Sequence, residues 1–451
     1  MVAAVEQGKP RRMGQVALAV GIGNFMEWYD FAVYGFFAVV IGQLFFVGDD
    51  PVVALLASLG VFAVGFFFRP LGGLILGPIG DRYGRRVALA ISVLAMGAAT
   101  LVIGFLPTYS SIGIWAPVLL VLMRCVQGLS AGGEWTGSAA YLIEGAPKNK
   151  RARYGSLISA TAALATLVGS MLALLLNSVL TDAQVESFGW RIPFWLAAPL
   201  ALVGLLIRLR LDETPVFTEL QAQAKVAKSP LSKGAKRNLK AILLTIAFAA
   251  VQGLGYYYLA TYVVNHLQVS LKLPRSEALY LAGAGLLMYM CMCPLAGWLS
   301  DRMGRRRLNI IGTVGYVLLP VPVFAMIGLG NPALTIFGLF LLGAAQCLVS
   351  VTTVVMLVEL FPASTRSSSS AIGFNIALAF IAGPGPYIGA WLASSLSSSV
   401  APAFYQVAVA LIALVAVVKW LPESSNNDLS AEVVNWDRSN AASGAEPVLA
   451  N

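Results

Sequence analysis

The sequence predicts an all-α integral membrane protein of twelve transmembrane helices in two six-helix pseudo-repeats. Of its 451 residues, 58% are hydrophobic and only 11% charged, against roughly 45–50% and 25% in soluble domains. Lipid rather than water must therefore solvate most of the surface. Cutting the chain at charges, Pro/Gly turns and polar clusters leaves twelve apolar stretches, each able to supply the roughly 20 residues that a membrane helix needs. Two loop motifs then recur in register between the first six stretches and the last six.

Residues 1–15 form a polar amino-terminal segment in which Lys9, Arg11 and Arg12 precede the first span. That span is longer than the apolar core of a signal peptide and has no convincing cleavage site, so it reads as a membrane helix. The amino-terminal bundle, 16–211, holds spans at 16–46, 51–79, 87–106, 112–143, 154–180 and 190–209. Residues 212–240 follow as a charged linker between the bundles. The carboxy-terminal bundle, 241–421, holds spans at 241–267, 276–300, 308–329, 332–360, 367–396 and 401–421. The polar tail 422–451 reads as disordered. The 44 Gly and 22 Pro suit helices that break and approach closely.

Net charge is +9 and the pI near 9.4, values that suggest nucleic acid in a soluble protein. Here they are topology. With the amino terminus in the cytoplasm, 25 of the 30 Lys and Arg fall on the inner side; Arg191, Lys272 and Arg275 lie outside, and Arg69 and Arg124 lie within spans. This asymmetry puts both termini in the cytoplasm and removes the reason to expect a nucleic-acid partner. Cys125, Cys291, Cys293 and Cys347 sit in apolar runs without a Cys-x-x-Cys, far in sequence from the single His266. They read as packing residues, with no disulfide framework, no metal site and no cofactor. His266 reads as a residue of the outer rim.

The run Gly77-Pro-Ile-Gly-Asp81-Arg82-Tyr-Gly84-Arg85-Arg86 recurs as Gly297-Trp-Leu-Ser-Asp301-Arg302-Met-Gly304-Arg305-Arg306, after the second span of each six. A Glu-x-x-Pro-x-x-x-Arg pattern follows the fourth span of each, as Glu144, Pro147, Arg151 and as Glu359, Pro362, Arg366. Two motifs repeating in register imply parallel repeats about a central path, the plan of a transporter. In the first motif the small residues permit a tight turn, and the Asp can accept from an Arg or from a helix amino terminus. A single copy would read as a cytoplasmic anchor. The duplication favours a conformational gate, holding the outward-open state.

Charges inside spans are Glu27, Asp30, Arg69, Arg124 and Glu134. Each would cost about 2.5–3.5 kcal/mol against lipid on insertion scales, so each should face the bundle interior. Asn24, Glu27, Asp30 and Tyr34 follow one another at three- and four-residue steps and so share a helix face. Arg69 lies twelve residues before Asp81, about 18 Å along a helix and hence near the midplane. Three acids against two Arg leave one carboxylate without a full-time partner. Its protonation can exchange with a cationic substrate end or with release of an Arg, the outline of a proton-coupling device built from Glu27, Asp30, Arg124 and Glu134. The alternative is a static ion-pair network, and Glu134, ten residues before Glu144, fits a structural role best of the five.

The second half lacks such charge; Ala344 stands where the repeat would place a second Arg124. Its polar candidates are Gln252, Gln346 and Asn375, with Tyr256, Tyr257, Tyr258 and Tyr262 of the seventh span and Tyr387 and Trp391 of the eleventh. Such aromatics can face a quaternary ammonium or a prolyl ring, though they also serve as packing or interfacial belts. The substrate-contact candidates are therefore Asn24, Tyr34, Arg69, Arg124, Gln252, Tyr256, Tyr257 and Asn375. Breaks at Gly253-Leu-Gly255 and Gly383-Pro-Gly385-Pro386 should let their helices bend.

Over nearly its whole length the chain resembles the metabolite:proton symporter family of the major facilitator superfamily. The likeness rests on Gly23-Asn-Phe-Met-Glu-Trp-Tyr-Asp-Phe31, Arg69-Pro-Leu-Gly-Gly73, the two Gly-Asp-Arg-Gly-Arg loops, Gln127-Gly128 through Gly132-Gly133-Glu134, Gly189-Trp-Arg-Ile-Pro193 and Glu213-Thr-Pro215. Ile112-Gly-Ile-Trp-Ala-Pro117, Glu134-Trp-Thr-Gly137, Glu213-Thr-Pro-Val-Phe217 and Phe374-Asn-Ile look most like the proline/glycine-betaine permeases. The resemblance implies a major facilitator fold in a bacterial plasma membrane and uptake driven by the inward proton gradient. It implies substrates among proline, betaines, 2-oxoglutarate, citrate and shikimate. The chain departs from some osmosensing members by ending soon after the last span, without a long coiled coil, and by carrying Arg124 where the osmolyte pattern allows Lys. Only Arg forks onto a carboxylate, which gives an organic-acid substrate some weight.

The expected activity is proton symport of a proline/betaine-type osmolyte by alternating access, in a protein functional as a monomer. The alternative is an organic-acid or 2-oxoglutarate symporter. An intramembrane enzyme or a non-transporting sensor is remote, since no His/Cys cluster, phosphate-cradling loop or acidic metal motif is present.

Overall fold

The computed structural model describes residues 13–46, 50–83, 85–209, 238–362, 365–429 and 431. All regular structure among them is helical. In chain order, α1 is the bent pair Val20–Phe36 and Ala38–Phe45, α2 is Pro51–Leu76, α3 Ala90–Phe105, α4 Trp115–Glu144, α5 Lys148–Val179 and α6 Gly189–Leu206. In the second half, α7 is Leu239–Val269, α8 Arg275–Met303, α9 the bent pair Arg305–Leu318 and Pro320–Gly328, α10 Pro332–Glu359, α11 Ser368–Ser395 and α12 Ala401–Trp420. Nine of these are each long and apolar enough to cross a membrane, α1 and α9 qualify as pairs, and α3 is a shorter apolar helix. Most of the proposed linker lies outside the described residues, as do residues 1–12.

The surface shows the solvent for which the chain is built. Leu94, Phe105, Trp115, Leu202, Phe337 and Ile412 are each more than half exposed, while Glu27, Asp30, Arg69, Arg124 and Glu134 are buried. That distribution is inverted relative to a water-soluble protein. The two halves meet along two seams: α5 packs on α8 and α10, and α2 packs on α11. Within the first half α1 lies against α5, and α3 lies against α6.

Glycine sets the closest helix contact. A Cβ on Gly128 of α4 would stand 1.8 Å from the Gly65 carbonyl oxygen of α2, and one on Gly72 would stand 1.9 Å from the Leu129 carbonyl oxygen. Close approach replaces hydrophobic drive in lipid, where apolar side chains gain little by leaving the solvent. This seam carries both intramembrane arginines, Arg69 on α2 and Arg124 on α4, and so fixes their separation.

Regular helix is interrupted at Gly383-Pro384, one of the two expected breaks, but the sharpest bends fall elsewhere. α1 turns by 62° at Phe37 and α9 by 44° before Pro320, whereas the sequence shows one uninterrupted apolar run for α1. In α7 a π turn occupies Tyr258–Tyr262, after the Gly253-Leu-Gly255 run, and in α11 one occupies Leu378–Ala382, ahead of Gly383. Gly255 itself serves close packing, because a Cβ there would lie 2.0 Å from the Tyr316 hydroxyl. Local widening by a π turn re-aims the side chains that follow it.

The tail begins in contact rather than in solvent. The Glu423 carboxylate accepts from the backbone N–H groups of Arg305 and Arg306 at 2.9 and 3.1 Å, Ser424 donates to Glu359, and Asn427 bonds both the Glu359 carbonyl and Arg151. Residues 430 and 432–451 lie outside the described residues. Replacing Gly128 with Val should force α2 from α4 and cost about 1–3 kcal/mol by overpacking. The expected readout is a lower midpoint of thermal unfolding in detergent together with lost transport.

Candidate functional site

The polar strip on α1 is real as a helix face, but its four members point to four different neighbours. Asn24 donates to the Ile158 carbonyl and to Thr161 of α5 and accepts from Trp28, so it ties α1 to α5. Glu27 accepts from Arg69 at 2.6 Å, with both side chains about 1% exposed. Asp30 accepts from Thr100 of α3 at 2.8 Å. Tyr34 donates to the Ser58 carbonyl of α2.

The two arginines are held differently. Arg69 has a carboxylate partner, a further contact to the Ala131 carbonyl, and the rings of Phe31 and Phe66 at 5.5 and 5.7 Å. Arg124 makes no ion pair among the described residues. Its Nη1 donates to Gln127, whose amide donates to Thr100, which in turn donates to Asp30. Its guanidinium carbon lies 4.3 Å from the ring centre of Tyr34, 5.1 Å from Phe62 and 5.2 Å from Phe31. Each such desolvated cation–π contact contributes on the order of 1–2 kcal/mol. Among the described residues Nε and Nη2 of Arg124, and Nε and Nη1 of Arg69, have no hydrogen-bond acceptor. Two buried guanidiniums thus hold unused donors at the midplane, an arrangement suited to a carboxylate.

The second half closes over this cluster with aromatics. The Tyr257 ring stands 4.9 Å from Phe66 and 5.9 Å from Trp28, and its hydroxyl has no hydrogen-bond partner among the described residues. Tyr256 reaches across the seam to share a hydrogen bond with Thr166 at 2.6 Å and donates to the Ala162 carbonyl. The rest of the expected aromatic box is elsewhere. Tyr258 donates to the Pro402 carbonyl, Tyr262 lies against His266 and Phe324, and Tyr387 and Trp391 are 38% and 49% exposed. His266, read as a rim residue, is buried and bonded to Tyr262.

Gln252 keeps its side-chain oxygen unpartnered among the described residues while its backbone carbonyl accepts from Gln346. Asn375 donates across the halves to the Gly132 carbonyl, beside Phe374 stacked on Trp135 at 4.4 Å. Glu134 is buried and accepts from Ser92 at 3.1 Å. Phe31 and Gln127 stood in the family motifs but were not read as site residues, and Phe62, Phe66 and Thr100 were not singled out at all. Gln127, three residues after Arg124 and so on its helix face, carried a usable signal; three phenylalanines among 22 did not.

The repeated loops form a charged clasp at one face. Asp301 accepts from the backbone N–H groups of Ala152 and Arg153 in the first turn of α5, at 2.9 and 3.1 Å, and from Arg305. A carboxylate from one half thus caps a helix dipole of the other. Glu359 takes the Nε–Nη2 edge of Arg305 with both its oxygens and lies 3.5 Å from Arg151, while Arg366 reaches Glu144 of the opposite half at 2.6 Å. Gly304 is the turn with φ +89, and Arg302 stacks on Trp298 instead of joining the clasp. Gly84 lies outside the described residues, as do the details of Gly77 and the side chains of Asp81, Arg82 and Arg85. At the opposite face the halves also touch: Asn265 donates to the Gly35 carbonyl, Ser170 to the Leu279 carbonyl and Arg275 to Asn177. The clasp is therefore closed in a conformation closed at the other end too.

A family model described as Major Facilitator Superfamily matches residues 20–384 and again 251–433. The chain is 36% identical over 427 residues to the glycine betaine/proline/ectoine/pipecolic acid transporter OusA of Dickeya dadantii, covering 93% of this chain and 85% of that protein. It is 35% identical over 437 residues to the proline/betaine transporter of Escherichia coli K12, covering 95% and 86%. It is 38% identical over 411 residues to the inner membrane metabolite transport protein YhjE of the same organism, covering 90% and 93%. Among solved structures, the proton:xylose symporter XylE bound to 6-bromo-6-deoxy-D-glucose aligns with a TM-score of 0.76 at 18% identity, covering 93% of this chain and 98% of that one. At that identity the likeness shows the fold.

Two outcomes follow from the geometry. Removing one partner of the buried pair, as Glu27→Gln or Arg69→Met, should cost about 3–5 kcal/mol, and the double substitution should cost less than the sum in detergent unfolding. Asp301→Ala and Arg366→Ala should loosen the clasp, read as faster amide hydrogen exchange over residues 143–155 than in the unaltered protein.

Proposed function

The chain belongs to the Major Facilitator Superfamily, and on that premise we propose that it imports a small zwitterion of the proline/betaine class together with protons, by alternating access. The observation that carries this reading is Arg124: fully buried, caged by Phe31, Tyr34 and Phe62, with Nε and Nη2 unpartnered among the described residues. A substrate carboxylate fits those donors. Its onium group fits the faces of Trp28, Phe66 and Tyr257, which lie together at the seam of the halves.

Proton coupling rests on the chain from Arg124 through Gln127 and Thr100 to Asp30. With Asp30 ionised, Arg124 is drawn toward it through these neutral groups. With Asp30 protonated, the guanidinium is released to the substrate, so substrate and proton favour each other by linkage. Glu27 and Arg69 hold the second charge pair of the same device. The halves then rock as the clasp of Asp301, Arg305, Glu359, Glu144, Arg151 and Arg366 opens and closes, with both termini in the cytoplasm and the protein in a bacterial inner membrane. The printed functions of OusA and of the E. coli proline/betaine transporter support this substrate class.

Arg69 also has unused donors, and two guanidiniums would favour a dicarboxylate such as 2-oxoglutarate. Purified protein in liposomes under an inside-alkaline gradient separates the two. Protonophore-sensitive accumulation of labelled proline or glycine betaine is expected, with 2-oxoglutarate neither accumulated nor competing. Accumulation of the dicarboxylate alone would replace the zwitterion reading. Asp30→Asn should abolish gradient-driven accumulation, and Arg124→Lys should weaken substrate binding roughly 10-fold or more through loss of the bidentate grip.

A further inference from the structure

The carboxylates of the first half face two ways. On the side of the seam, Arg69 meets Glu27, and Arg124 approaches Asp30 through Gln127 and Thr100. On the other side, Glu27, Asp30 and Glu134 line a pocket inside the amino-terminal bundle, where α1, α3, α4 and α6 converge. Its walls come from Met26 of α1, Val93 and Met96 of α3, and Ala197, Leu200 and Ala201 of α6. Among the described residues, none of the carboxy-terminal half lines it.

Small residues keep this space. A Cβ on Gly97 would stand 2.3 Å from the Ala201 Cβ, so α3 and α6 already touch at that level and any larger side chain must enter the pocket or part the helices. The lining positions also have a direction. Gly23 and Met26 lie toward the start of α1, Val93 and Met96 toward the start of α3, Glu134 in the last third of α4, and Ala201 near the end of α6. Those helix ends all belong to the face of the repeated loops, and Asp30 stands at the deep end.

We infer that this pocket is the route by which the transported proton leaves for the cytoplasm, passing from Asp30 to Glu134 inside the amino-terminal bundle while the substrate leaves separately along the seam. The inference rests on the proton-coupled reading above. The proton departs from the Asp30 carboxyl, is taken up by the Glu134 carboxylate, and is released from there to water on the cytoplasmic side; Ser92, bonded to both Glu134 and the Ser130 carbonyl, steadies the acceptor. The charged and titratable groups around Asp30 are Glu27 and Tyr29 on its own helix and Arg124 and Glu134 of α4, while Arg69 of α2 and Tyr257 of α7 stand against Glu27. α3 contributes the neutral Ser92 and Thr100, and α6 contributes no ionisable group to the lining. Arg69 and Arg124 stand on the seam side, and no Arg or Lys is among the described residues that line the pocket, so a proton crossing it meets no guanidinium in that lining.

The experiment uses full-length protein in liposomes with labelled proline, comparing Ala197→Leu and Ala201→Leu with Ala201→Gly. Net accumulation under an inside-alkaline gradient needs the proton to leave; exchange of internal for external proline by the protonated, loaded carrier does not. Filling the pocket should slow net accumulation roughly 10-fold or more, the scale of losing a positioned proton-transfer group, while exchange stays within about twofold and Ala201→Gly behaves as the parent. Retained exchange also proves that the filled variants fold and bind. The inference is overturned if both Leu variants accumulate proline at the parent rate, or if exchange and accumulation fall together. Failure of the unaltered protein to accumulate proline against the gradient would instead sink the proton-coupled reading, and this inference with it.

Discussion

The constraint on which the molecule depends is that five ionisable groups must be kept in a medium that will not solvate them. Each would cost about 2.5–3.5 kcal/mol if turned to lipid, and the first half is organised to prevent that. The glycine seam of α2 and α4 brings the backbones close enough for Arg69 and Arg124 to occupy one plane beside α1. Only one of the two then receives a direct carboxylate. The other is satisfied by ring faces and a single amide, a neutral shell that stabilises a cation without cancelling its charge. A guanidinium kept charged but under-bonded is what a carboxylate ligand requires.

The two ends of the molecule are closed by different physics. At the face of the repeated loops the contacts are ionic and helix-capping, centred on Asp301 and Glu359. At the opposite face hydrogen bonds of neutral groups, Asn265 to Gly35 and Ser170 to Leu279, stand beside a single guanidinium, Arg275, that reaches Asn177 and the exposed Asp182. Ionic contacts lose strength as water enters and the local dielectric rises, so the clasp is the end more sensitive to wetting. The first tail residues reinforce it, because Ser424 and Asn427 bond Glu359 and Asn427 also accepts from Arg151 of the other half. The sequence offered no sign of this, since a short polar stretch without apolar residues looks solvated whatever its hydrogen bonds do.

The helical membrane class and the buried charges were legible because they follow from one rule, the cost of a charge in lipid, and because helical spacing puts Glu27 and Asp30 on a shared face. Pairing was not legible. That Glu27 rather than Asp30 meets Arg69 depends on the rotation of α2 against α1, which no spacing along either helix specifies. The aromatic box failed for a related reason. Tyr256, Tyr257 and Tyr258 are consecutive, so their side chains point about 100° apart around a helix, and only one or two can face the path. The bend of α1 at Phe37 was hidden as well, since its only mark is a lone Gly35 inside an apolar run.

The asymmetry between the halves then has a consequence for transport. Among the described residues, the charges buried at mid-span, Glu27, Asp30, Arg69, Arg124 and Glu134, belong to the first half, while Tyr256, Tyr257 and Gln252 of the second half supply aromatic and neutral polar surface. On the function proposed above, a zwitterion seated between them would use both halves, its carboxylate on the arginine side and its onium on the rings. Neither half alone completes the site. A substrate so bound would stabilise the closed arrangement of the two halves by contacts that an empty seam cannot make, and it is such differential contact that would let its occupancy bias the movement of one half against the other.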